Sequence, residues 1–322
     1  RQEVGFTAAR FTSIFHFQFS DRVLFEGELE IETNADGETE IATEYATIDL
    51  ILNDYMALVA GKFLSPIGQF RQNIHPSWIN KLPTAPVGFG HGGAAPLSDL
   101  GVQLRGGIPL SGSMRANYAL FTSNGPTLLV DGHGDEVELE METEAASSNA
   151  DGNFVYGGRI GFLPVPALEL GLSGALGKVG VAEGHAVSEL AAGEPDRDYT
   201  VLGADAVYNL DTLQLRGEFI QQTVGSEAGS TIADGEVTGE LDFTAWYAQA
   251  AYRLPDTKWE GVARIGDLDT PNADGNRSQW SVGVNYLFAN NVIIKAAYTV
   301  DDYDDNAIDD DERFNVQLAY GF

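Results

Sequence analysis

The sequence predicts an all-β chain, an antiparallel up-and-down barrel that crosses a membrane with strands. Three observations predict it. Apolar and polar residues alternate in segments of roughly 10–15 residues, the period of a strand with different surroundings on its two faces. Short and mostly longer connections strictly alternate between these segments. A barrel does this when its tight turns gather at one end and its loops at the other. No stretch approaches the roughly 18 apolar residues of a membrane helix, whereas a spanning strand needs only about 9–11.

Strands are expected near 5–19, 22–34, 40–53, 55–64, 98–108, 113–123, 153–163, 167–178, 198–210, 212–223, 241–254, 257–268, 277–288, 291–302 and 312–322. Tight turns join them at Ser20-Asp21, Asn53-Asp54, 109–112, 164–166, Leu210-Asp211, Pro255-Asp256 and Ala289-Asn290. These belong on the periplasmic side. The connections 35–39, 65–97, 124–152, 179–197, 224–240, 269–276 and 303–311 belong outside the cell. The 322 residues then form one barrel domain, 1–322.

The final strand sets the register. Phe314, Val316, Leu318, Tyr320 and Phe322 share one face, and Asn315, Gln317, Ala319 and Gly321 the other. This pattern resembles the last strand of bacterial outer-membrane barrels. Fifteen strands are recognised, but bacterial single-chain barrels have even numbers. The first visible strand and the last both run toward the tight turns. A sixteenth strand is therefore expected at the N-terminus, in residues 1–9 or upstream of Arg1.

The same register sorts side chains by face. Phe15, Phe17, Phe19, Val23, Phe25, Leu29, Ile31, Ile48, Leu50 and Leu52 point outward, as do Leu168, Leu170 and Leu172 and the apolar residues of 280–298. Phe19, Tyr55, Tyr208, Tyr252, Phe288 and Phe322 near the turns, with Phe154 and Trp280 near the loops, predict two aromatic girdles. Lys62, Arg105, Arg115, Arg159, Arg216, Arg253, Arg264 and Lys295 fall on inward positions, with Glu26, Glu28, Glu30, Glu32, Asp49, Glu169, Asp205, Glu218 and Glu260. A charge facing lipid at the midplane costs about 2–4 kcal/mol, so this placement supports the register. As a set these residues predict a wet, charged channel rather than a packed core.

Composition excludes other classes. A net charge of -30 makes nucleic acid an unsuitable partner, and the absence of Cys removes disulfides and thiolate chemistry. Gly88-Phe-Gly-His-Gly-Gly93 has dinucleotide-motif spacing but lies between no strand and helix. Asn276-Arg-Ser278 is a sequon without consequence in a bacterial barrel. The five His residues are scattered, and no nucleophile constellation stands out, so no enzyme, cofactor or metal centre is expected. The acidic runs 135–144, 301–305 and 309–312 read as solvated surface, with loose divalent-cation binding as the alternative.

Segment 65–97 differs from the other loops. It contains no Asp or Glu, carries Arg71, Lys81, His75 and His91, and is rich in Gly, Pro and apolar residues, Trp78 among them. Such a loop suits packing against an inner wall, as a constriction.

Ala60-Gly-Lys-Phe-Leu-Ser-Pro-Ile-Gly68, preceded by Tyr45-Ala-Thr-Ile-Asp49 and Leu52-Asn-Asp-Tyr55, resembles the phosphate-selective porin O and P family. The resemblance covers residues 5–108. It implies a homotrimer of sixteen-stranded porins in the bacterial outer membrane, in contact with lipid and lipopolysaccharide. Loop 65–97 then enters the lumen, and Lys62 is the basic residue beneath it. The expected function is passive diffusion of small hydrophilic solutes or ions, selected by size and wall charge. Lys62, Arg71, Lys81, Arg105, Arg115 and Arg159 form the basic side, opposed by Glu26, Glu28, Glu30 and Asp49. The acid-free loop motivates an expected anion preference, although the chain lacks the strongly cationic pore of that family. A structural or partner-holding barrel with an occluded lumen is the alternative.

Overall fold

The structure, a computed structural model, describes residue 5 and residues 8–34, 37–133, 136–144, 149–184, 189–229, 238–289, 291–305 and 307–321. In chain order the strands are β1 (Ala9–Ser20), β2 (Val23–Thr33), β3 (Thr39–Asn53), β4 (Met56–Leu64), β5 (Ser98–Pro109) and β6 (Arg115–Ser123). Next come β7 (Thr127–His133), β8 (Glu136–Glu142), β9 (Val155–Val165), β10 (Leu168–Val179), β11 (Val181–Glu183) and β12 (Arg197–Leu210). The last six are β13 (Leu213–Val224), β14 (Leu241–Arg253), β15 (Trp259–Asp269), β16 (Arg277–Ala289), β17 (Val292–Tyr303) and β18 (Asp311–Tyr320). One short helix, α1 (Phe70–Asn73), lies between β4 and β5.

Fifteen of these strands form one sheet in chain order, and every neighbouring pair within it is antiparallel. They are the predicted strands, with ends shifted by a few residues. The expected sixteenth strand falls largely on residues outside those described. The sheet curls around the 65–97 segment. That segment contacts Glu28 of β2, Ser173 of β10, Glu218 of β13, Arg264 of β15 and Lys295 of β17. Trp78 packs on Gly321, just beyond β18, and lines one cavity with Ile14 of β1. The two ends of the sheet therefore flank one small space, as a barrel requires.

The outward face is apolar over its whole girth. Phe15, Phe17, Phe25, Ile48, Leu172, Leu202, Trp280, Val282, Phe314 and Leu318 are all exposed. So large an apolar band is stable in lipid, not in water. At the turn side, Trp259, Tyr286 and Phe288 stack edge to face at 4.8 and 4.9 Å. Phe322 and Asn290 lie outside the described residues. No helix among the described residues is long and apolar enough to cross a membrane.

Two expectations need correction. The region 124–152 is not merely an acidic loop. Its β7 and β8 pair with each other, and β11 joins β7 in parallel, making a small second sheet. Leu128, Val130, Leu139 and Met141 of that sheet are buried. The lumen, moreover, is not wet throughout. Tyr199, Val201, Ile220, Val224, Phe243, Ala245 and Tyr247 occupy inward positions toward the loop end. They join Phe70, Val87, Phe89 and the small sheet in one buried apolar cluster. Apolar side chains from wall, loop and small sheet exclude water together here.

Candidate functional site

The site is built by the way segment 65–97 turns inward. Gly68 has φ +73, and a side chain there would run into Glu218. The Glu218 carboxylate accepts the Gln69 backbone N–H at 2.8 Å and the Tyr247 hydroxyl at 2.6 Å. The single helical turn then buries Phe70, whose ring lies 6.4 Å from Tyr247 and 6.3 Å from Phe89. Gly88, at φ +75, lets the chain rest on Ala245 and Leu268.

Wall donors satisfy the carbonyls of the loop. Arg264 donates to Thr84 O at 3.0 Å, Thr84 Oγ1 at 3.1 Å and Ala85 O at 2.9 Å. Lys295 donates to Ser77 O at 2.5 Å and Leu82 O at 3.3 Å, and Asn285 to Lys81 O at 2.9 Å. Gln222 donates to Ala94 O at 2.5 Å. Buried carbonyls need such partners, so β13 to β17 hold the loop tightly. These donors close one side of the lumen.

Space remains on the other side, along β1 to β6 and, nearer the tight turns, β9, β10 and β12. A vestibule of about 700 Å³ opens near the tight turns, lined by Tyr55, Asn117, Arg159 and Glu169 of the wall and Gln69 of the loop. A gap of about 290 Å³ lies between the loop and the wall, lined by Glu26, Glu28, Tyr45 and Gln103 on one side and His75 and Trp78 on the other. Gln72, Asn73 and Arg105 line both cavities. They form the neck at which the two cavities adjoin.

The predicted basic residues do not form a free cationic face. Arg105 reaches Glu26 at 2.9 Å and Asp49 at 2.5 Å. Arg159 binds Asp205 at 2.6 Å and Glu169 at 3.0 Å. Lys81 binds Glu260 at 2.9 Å, and Arg71 pairs with Glu44. Arg115 is exposed at the turn end and has no ion pair among the described residues. Among the predicted acids, Glu28 faces His75 at 3.4 Å and Glu30 faces Arg10 at 3.3 Å.

Lys62 needs correction. The register pairs it with Ala46 and Leu100, on the parity opposite to the inward Val59 and Phe63. Gly61 precedes it with φ +129. Its ammonium reaches Glu144 at 2.7 Å, beyond β8, and so ties the wall to the small sheet. Burial alone raises the Glu144 carboxyl, but Lys62, His91 and Arg71 outweigh it and hold the group below the usual carboxylate range.

Sequence reasoning missed Glu44, Gln103 and Glu144. A bulge opposite Glu28 and Leu29 leaves Glu44 unpaired in the ladder and turns it toward Arg71. The signal was a change of phase, since Ile41 and Ile48 are both outward yet differ in parity. Gln103 gave no signal, being one polar residue among inward polar residues. Among the described residues no group of His, Asp and Glu could hold a metal ion.

Comparison with known proteins agrees with the architecture. The family model described as phosphate-selective porin O and P matches residues 183–322. The resemblance read from the sequence lay in the other part of the chain. The anion-selective porin from Comamonas acidovorans superposes with a TM-score of 0.58 at 14% identity, covering 96% of this chain and 87% of its own. The outer membrane channel DcaP of Acinetobacter baumannii gives 0.59 at 12%, over 98% and 85%. The trimer form of OmpT from Vibrio cholerae gives 0.56 at 11%, over 98% and 91%. No curated protein matches the sequence. The chain has the fold of a bacterial outer-membrane barrel.

Proposed function

We propose that this protein is an outer-membrane porin whose solutes diffuse through the passage beside β1 to β6, β9, β10 and β12. The observation that carries the reading is the pair of cavities that share Gln72, Asn73 and Arg105. Wall donors fix the loop on one side and leave its polar face toward these cavities. Diffusion needs a hydrated path with charged walls and a fixed width, and this passage supplies each. Selection by size acts at the neck, and paired charges keep the wall hydrated without trapping ions.

Residues 1–322 act as one barrel domain in this reading, a channel rather than an enzyme. Its outward band meets outer-membrane lipid and lipopolysaccharide. A homotrimer is the proposed assembly, as in the trimer form of Vibrio cholerae OmpT. Arg71, Arg105 and Arg159, opposed by Glu26, Glu28, Glu30 and Asp49, are the proposed wall charges, and Lys81, paired with Glu260, anchors the loop on the sealed side. Arg115 contributes to the vestibule rim. Lys62 acts on loop position.

A second reading is an occluded structural barrel, favoured by the apolar cluster that fills the loop-end half of the lumen. One assay separates the two. Purified protein in planar bilayers should give stepwise conductance, and proteoliposomes should swell in small sugars at rates that fall with sugar size. Intact barrels with neither conductance nor swelling would overturn the porin reading in favour of the occluded one.

A further inference from the structure

The passage carries more acid than base. The two cavities are lined by the carboxylates Asp54, Glu169, Glu26 and Glu28 against the guanidiniums Arg105 and Arg159. Both guanidiniums are also held by carboxylates outside that lining, Asp49 and Asp205. Each base is thus neutralised locally, and the excess charge facing the passage is negative. The acid-free loop adds Arg71, but Glu44 pairs with it.

A second observation is independent of charge. Gln103 is 1% exposed, and neither its amide nitrogen nor its amide oxygen has a hydrogen-bond partner among the described residues. It lines the gap, level with Val59 on β4. A buried amide without partners costs free energy unless something in the gap bonds to it. Trp78 and Tyr45 line the same gap and offer aromatic faces. Carboxylates, an unpartnered carbonyl and aromatic faces together suit an ammonium group.

We infer that the passage prefers cations, and that its solute class is small ammonium-bearing molecules received between Glu26, Glu28, Gln103 and Trp78. This rests on the porin reading and runs opposite to the anion preference expected from the loop alone. Glu28 and Glu26 attract the cation. Gln103 Oε1 accepts from its N–H groups as water is shed. Arg105, held by Glu26 and Asp49, repels it weakly.

The test is the reversal potential of single channels in a KCl gradient, then in a gradient containing methylammonium chloride. K⁺ should pass at least about fivefold better than Cl⁻, since a net negative charge near 4 Å shifts the two ions in opposite directions. Glu26→Gln with Glu28→Gln should cut that ratio about threefold or more. Gln103→Leu should lower methylammonium permeability relative to K⁺ by roughly threefold. A wild-type preference for Cl⁻ would overturn the inference and leave the porin reading intact. An unchanged ratio in the double variant, or unchanged methylammonium permeability in Gln103→Leu, would overturn the assigned site. No conductance in any variant overturns the porin reading and this inference with it.

Discussion

Phe89→Ala tests whether aromatic packing holds the inward loop. Phe89 is 2% exposed, and its ring meets Tyr247 edge to face at 4.9 Å and Phe70 at 6.3 Å. Truncating a buried Phe to Ala costs about 3–5 kcal/mol, of which each aromatic pair accounts for about 0.5–1.5 kcal/mol. That penalty falls on the docked loop, while the barrel ladders stay intact. At about 1.4 kcal/mol per tenfold change, the population of locally opened loop rises roughly a hundred- to several-thousand-fold. The donors Arg264, Lys295 and Gln222 remain, so the loop stays docked most of the time. Hydrogen exchange of the amides of Phe89, Gly93 and Ala95 is the assay, because each donates within the loop, to Pro86, Gly90 and Gly88. Their protection should fall at least about a hundredfold, while amides of β14 change little. Protection of the three amides within threefold of wild type would refute the packing argument.

Other perturbations test separate links. Arg264→Ala leaves the Ala85 carbonyl without its donor, at about 1–3 kcal/mol, while Thr84 O keeps the Asn80 amide at 2.9 Å, so the barrel should melt a few degrees lower and Arg264→Lys should recover part of the loss. Gly61→Ala forces a side chain into φ +129 and against Ala46 O. It should cost about 1–3 kcal/mol, read as a lower temperature for the heat-induced shift on semi-native gels. Glu144 carries a depressed carboxyl pKa, so its tie to Lys62 is fully present above the ordinary carboxylate range. The tie is lost only as pH falls through the depressed value, and proteolysis of the 124–152 region should accelerate there. Lys62→Met should show that fast cleavage already at neutral pH.

The strand periodicity was legible because each spanning strand meets lipid on one face, which enforces strict alternation of apolar residues on that face. Phe15, Phe17 and Phe19 on β1 and Phe314, Val316 and Leu318 on β18 show this alternation directly. The small sheet was legible in principle and missed. In Glu138-Leu-Glu-Met-Glu142 the carboxylates alternate with Leu139 and Met141, which are buried, so the acidic composition hid a strand period. The packed loop-end lumen was less legible. Inward Val201 and Tyr247 stand beside outward Leu202 and Trp246, so apolar residues occupy both parities there and the polar–apolar alternation fades. The inward loop itself was visible as an acid-free, Gly- and Pro-rich exception. Its ion-pair partners were not, because Glu44, Glu260 and Glu144 are brought to it only by the curl of the sheet and by one bulge.

The central claim is that the passage runs beside β1 to β6, β9, β10 and β12 while the loop seals the lumen against β13 to β17. The chain has no Cys, so single cysteines report without background. Gln72→Cys stands at the neck between the two cavities, and Ala245→Cys lies under Gly88 on the sealed side. Each variant is recorded in a planar bilayer while a charged methanethiosulfonate reagent is added. The account predicts stepwise loss of current for Gln72→Cys and no reaction for Ala245→Cys. Rapid modification with loss of current at Ala245→Cys, and none at Gln72→Cys, would contradict it.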